Sequence, residues 1–201
     1  MSRTEQSVEN QEQRALAQSI HVGALCRVEE FDASKMTVKV QPLSKALDGG
    51  TYRTPPPILG VPVALIRGGG LILRPWYQKG DLGVLLFLDH DIDRIAEAGE
   101  EVQPNTERNH AEEDAVFVGA FTAASNPVKG LPDNALVMAA EGGGVFVAVS
   151  KSGITLQGPI TVNGNITQTG SSTVSGDVTA SGHSLASHTH TGVHGETSGP
   201  H

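Results

Sequence analysis

Glycine recurs at positions 158, 164, 170, 176 and 182, always six residues apart, and no other glycine interrupts the run. So short a period confines this stretch to architectures that stack one small unit on the next, because a single unit cannot enclose a core. In register the units read PITVNG, NITQTG, SSTVSG and DVTASG, with HSLASH next in phase. Thr161, Thr167, Thr173 and Thr179 hold the third place, while Ile160, Val162, Ile166, Val174, Val178 and Ala180 take the second and fourth. Alternation inside each hexad gives an apolar and a polar face, and glycine supplies a corner where φ can be positive. Each hexad therefore reads as a short strand with a kink.

One chain has little to bury such strands against, since six residues with one or two small apolar side chains leave both edges unpaired. Residues 151–201 contain no Phe, Trp or Tyr, and Ser, Thr and Gly fill 26 of those 51 positions. By composition alone that is a flexible linker, but the fixed phase argues for an ordered repeat. Three identical chains wound into a prism would give every strand two neighbours and an interior sized for Val, Ile, Ala and Thr. A single-chain β-helix with three strands per coil is the alternative, with room for only about two coils where roughly three repeats are needed. The pattern predicts an intertwined homotrimer.

Upstream of the repeat the sequence is strand-like without helical crossovers. ALCRVEEF and MTVKVQPL flank a turn at Asp32–Lys35, and ILGVPVALI, LILRPWYQ and LGVLLFL follow, separated by glycine and proline. Strand-period alternation and the absence of helices between strands predict a small antiparallel barrel. Pro62 places its strand at an edge or a bulge. AVFVGAF, ALVMAA and GVFVAVS add later strands, so the expected class is all-β. Residues 89–114 carry ten acidic side chains against Arg94 and Arg108, which predicts a solvated loop. Residues 1–20 are polar and form an expected N-terminal arm.

Composition excludes several functions. A net charge of −8 lacks the basic face that nucleic-acid binding needs, so no nucleic-acid partner is expected. The single cysteine, Cys26, permits no intrachain disulfide. The polar N-terminus has no apolar signal region, and no run approaches the roughly 20 residues that span a bilayer, which together predict a soluble, unexported chain. Asp89, Asp91, Asp93, Glu97 and Glu100 mimic calcium-loop spacing, but Arg94 stands where the loop's glycine belongs and a strand precedes it. With no nucleophile–base set around Cys26 or any serine, and no apolar pocket expected around the acidic loop, the chain does not read as an enzyme.

Five of the eight histidines lie at 183, 188, 190, 194 and 201. In an extended segment His188 and His190 project to the same side. Two imidazoles do not complete a metal site, and exposed histidines on a polar tail are the bland alternative. On a threefold axis, however, three pairs supply about six nitrogen ligands, an octahedral set suited to iron, cobalt or nickel and not to four-coordinate zinc. Such a filled shell leaves no open position for substrate, so the ion would be a clamp and not a catalyst.

The histidine apex SLASHTHTGVHGETSGP, the stretch Pro57–Val63, Gly68–Gly70, Lys79–Asp81 with VLLF, and His110 with Asp114–Ala115 together resemble the central spike proteins of contractile phage tails. These include membrane-piercing spikes of the baseplate assembly protein V type. The resemblance implies an OB-fold-like barrel over 21–144, a triple-stranded β-helix over 145–182 and a histidine-rich apex over 183–201. It further implies one iron ion per trimer held by His188 and His190, a barrel docked on baseplate or tail hub proteins, and transient contact with the host outer membrane. The expected location is the tail baseplate of the virion, after assembly in the host cytoplasm. A trimeric tail fibre or adhesin binding a surface glycan is the alternative.

Overall fold

The computed structural model describes residues 21–198; the expected N-terminal arm over 1–20 and His201 lie outside the described residues. Strands form where the sequence alternates. In β1 (Gly23–Asp32) Cys26 and Val28 are buried, and in β2 (Thr37–Pro42) Val38 and Val40 meet them. The two pair antiparallel across the expected turn, where one Asp32 carboxylate oxygen accepts the N–H groups of Ser34 and Lys35 and the Ser34 hydroxyl. That arrangement is how a short acidic side chain stands in for backbone in a turn.

Two hairpins extend from the barrel. β3 (Ala46–Asp48) and β4 (Thr51–Arg53) pair across Gly49 and Gly50, whose φ values are 55° and 79°. β5 (Ile58–Pro62) joins the main sheet, after which β6 (Ile66–Gly68) and β7 (Leu71–Leu73) form the second hairpin across Gly69 and Gly70, at φ 56° and 81°. Consecutive positive φ angles give the turn whose twist matches its flanking strands, which is why glycine is paired at both tips.

β8 (Leu82–Phe87) and β9 (Ala115–Ala120) complete a five-stranded sheet in the order β5-β2-β1-β8-β9. Its ends approach each other: Val63 and Phe117 form a parallel bridge, and the Ala64 N–H donates to the Phe117 carbonyl at 2.8 Å. The result is a partly open barrel of the OB kind. Pro62 sits on the edge strand, as its missing N–H requires. Residues 71–78 differ from expectation. Leu71–Leu73 pairs outside the sheet, Pro75 removes a ladder donor, and Trp76 and Tyr77 instead pack edge-on against Phe31, so the fifth barrel strand is β9.

The core joins Cys26, Val28, Val38, Val40, Val61, Leu85, Phe87, Ala115 and Phe117, with Tyr77 edge-on to Phe117. Burial pushes the Cys26 thiol up to about 11, only partly opposed by a hydrogen bond from the Gly83 backbone, so it is an inert core group. Gly83 lies directly beneath the Phe117 ring, which occupies the space any Cβ would need. Gly83→Ala should therefore destabilise the barrel by about 1–3 kcal/mol through overpacking. Urea unfolding followed by circular dichroism measures this, and an unchanged midpoint would contradict the packing described.

Beyond the barrel, β10 (Leu136–Ala139), β11 (Phe146–Ser150) and β12 (Gly153–Gln157) form an antiparallel sheet. Phe146 and Ala148 are buried, but Leu136, Met138, Ile154 and Leu156 remain exposed. No strand is present between residues 157 and 179. Of the in-phase glycines, Gly158, Gly164, Gly170 and Gly182 have φ of 104°, 153°, 112° and 84°, while Gly176 does not share the positive φ and the short strand expected of each hexad is not formed in the single chain. Helix is confined, among the described residues, to α1 (Asp93–Ala98) and a 3-10 turn over Glu112–Asp114. No helix among the described residues is long and apolar enough to cross a membrane.

Candidate metal centre at the apex and an acidic clasp on the barrel

Two small hairpins shape the C-terminal apex. β13 (Thr179–Ala180) pairs with β14 (His183–Ser184) across Ser181 and Gly182, and β15 (Thr191–Gly192) pairs with β16 (Gly195–Glu196). His188 and His190 lie on the connection between them. The second hairpin frames His190, whose N–H donates to the Thr197 hydroxyl at 3.0 Å and whose carbonyl accepts the Thr197 N–H at 2.9 Å. His188 is held by the first, through Ser184.

The expected pair is brought together. The two rings stand nearly perpendicular with centroids 5.0 Å apart. His188 Nδ1 lies 2.9 Å from the Ser184 carbonyl oxygen. A carbonyl can only accept, so Nδ1 carries the proton and the Nε2 lone pair is left for a ligand. The donor set thus fits a metal that takes neutral imidazole. His183 lies on β14, and His194 lies in the tip of the β15–β16 hairpin, separate from the His188–His190 ring contact.

The acidic stretch is not a uniformly solvated loop. Asp91 and Asp114 are buried, at 1% and 0% exposure, and Arg108 draws them together. Its Nε donates to Asp114 at 2.7 Å, and its Nη2 reaches Asp114, Asp93 and Asp91 at 2.9, 3.0 and 3.2 Å. Asp91 also accepts the Thr106 hydroxyl and the Asp93 N–H, while Asp114 accepts the Ile92 N–H. The Asp114 carboxyl is held below its ordinary value chiefly by Arg108, and that of Asp91 chiefly by the Thr106 hydroxyl. Asp114 and Asp93 in turn fix the guanidinium in its charged form. Three carboxylate oxygens of Asp91, Asp93 and Asp114 lie within 4.8 Å of one another, a spacing that would suit a cation, but the guanidinium already supplies the positive charge.

Sequence reasoning missed this clasp because it counted charges without pairing them. The available signal was Arg108, one of only two cations among ten acids. Nearby, His110 adopts φ 49° with Nε2 3.6 Å from Asp89, and its Nδ1 is buried without a hydrogen-bond partner.

Residues 25–119, a little under half of the chain, match the family model described as the N-terminal domain of the phage protein Gp138. No curated protein matches the chain. The matched span runs from β1 to β9 and so coincides with the barrel, its two hairpins and the Arg108 clasp. In its barrel the chain is similar to a phage protein domain, which supports a structural component of a phage particle.

Proposed function

We propose that the chain is the cell-puncturing spike at the centre of a contractile phage tail baseplate, a homotrimer whose apex is clamped by one metal ion. The observation that carries this reading is the unburied repeat. Ile160, Val162, Ile166, Val174 and Val178 are between 42% and 75% exposed on a stretch without strands, although its glycine corners recur in phase. Apolar residues at strand spacing need partners, and two further copies in the same register supply them by closing each strand edge. The similarity of the barrel to a phage protein domain sets the context.

In this reading residues 1–20 form an arm, 21–144 a barrel that docks on tail hub proteins, 145–182 the triple-stranded shaft and 183–201 the apex. At about 4.8 Å between stacked strands, the five hexads climb on the order of 24 Å. His188 and His190 from each chain hold the ion, iron or another octahedral metal. The ion supplies a crosslink that ties three chain ends together, and stiffness comes from closed strand pairing. Neither role requires an open coordination site or a nucleophile. The assembled particle belongs to the virion and meets the host outer membrane only during injection.

A trimeric fibre or adhesin shares the architecture but needs a distal surface for glycan, and residues 151–201 offer no aromatic platform. Negative-stain imaging of the purified full chain tests the spike directly. A single rigid needle projecting from a globular head is expected. Isolated globules without a needle would contradict the reading, and firm retention on intact cells would favour the adhesin.

A further inference from the structure

Asp177 is one of only two acids in residues 151–201, on a tail otherwise made of small neutral side chains. Its place in the fold gives it a task. The carboxylate opens the last hexad and reaches across the β13–β14 hairpin, where Oδ1 accepts the Ala186 N–H at 3.0 Å. The Ala186 N–H, followed by the Ser184 hydroxyl and the nearby backbone at Val178 and Leu185, holds its carboxyl below the ordinary value, while the Leu185 N–H itself donates to the Val178 carbonyl at 2.8 Å.

Ser184 links this carboxylate to the histidine pair by two separate atoms. Its hydroxyl accepts the Ser187 N–H at 2.9 Å and the Ser187 hydroxyl at 2.8 Å, so all the donors are turned inward on one short loop. Its carbonyl accepts both the His188 N–H at 3.1 Å and His188 Nδ1 at 2.9 Å. Ser184 and His188 are each half-buried. Groups that orient a ligating imidazole through its second nitrogen fix its tautomer, and their loss typically lowers metal affinity about 10–100-fold.

We propose that Asp177 is a positioning residue for the metal centre: by cradling the Ser184–Ser187 turn it aims the Ser184 carbonyl at His188 Nδ1, which keeps Nε2 free for the ion. The proposal rests on the metal reading of His188 and His190 and adds a residue eleven positions upstream that no ligand motif would include. It also explains an acid beside a cation site without making that acid a ligand.

Full-length wild type, Asp177→Ala and Asp177→Asn would be compared by competition for ferrous iron against a chelator and by ¹⁵N chemical shifts of the metal-free His188 ring. Wild type should show the Nδ1–H tautomer, and Asp177→Ala a mixture with iron affinity lowered about 10–100-fold. Asn keeps an acceptor for Ala186 but removes the charge. Affinity within a few-fold of wild type in Asp177→Asn would assign the effect to hydrogen bonding. Equal losses in both variants would assign it to charge and overturn the positioning role. An Asp177→Ala protein with wild-type affinity and an unchanged tautomer would overturn it as well. If wild type binds no iron while the tautomer still responds to Asp177, the metal reading falls and the turn geometry stands.

Discussion

Replacing His188 and His190 together by alanine should take the purified protein from about one transition-metal ion per three chains to none. In the proposed threefold arrangement the effect is large: one substitution would remove about three of six nitrogen ligands, and two the whole shell. Elemental analysis of the trimer reads the result. Imidazole must be neutral to bind, so the ion should also be released by acid. Metal retained in full by the double variant would place the site elsewhere.

Arg108→Ala should be the most damaging single change in the barrel. It leaves Asp91 and Asp114 buried as carboxylates without their counter-ion, and removing one partner from buried charge is far worse than never having placed the pair there. A fall in Tm on the order of 10 °C or more is expected, with loss of α1 and the segment that follows it. Asp114→Asn should hurt less, since it keeps acceptors for Arg108 and Ile92. The same clasp sets the acid limit of the barrel. Both carboxyls are depressed in the folded state, so their contribution is present above the ordinary carboxylate value of about 3.9 and is lost as pH falls through the lower folded values. The barrel should therefore fail only below about pH 4, an event that the fluorescence of Trp76 follows. An Arg108→Ala barrel with an unchanged melting curve would contradict the clasp.

The β1–β2 hairpin, the edge position of Pro62 and the all-β class were legible in the sequence because each rests on local rules: alternation, an Asx turn and a missing donor. The fifth barrel strand was not. LILRPWYQ and AVFVGAF are both apolar runs, and only long-range pairing, the β8–β9 ladder and the bridge of Val63 to Phe117, decides between them. Asp91 and Asp114 were misjudged for the same reason, since the arginine that neutralises them is far from Asp91 in sequence and close in space. At the apex the sequence singled out the histidine pair as a candidate but not the Ser184 carbonyl beside it, because backbone acceptors leave no trace in residue identity. The repeat was read from phase alone. Four of its five glycines have the positive φ of a corner, and its valines and isoleucines stay exposed in the single chain.

The mass of the full-length protein in solution, by light scattering at several concentrations, tests the central claim most directly. The account predicts three chains per particle, undiminished on dilution. A stable particle of one chain would contradict it, because the exposed valines and isoleucines of the repeat would then have nothing to close against.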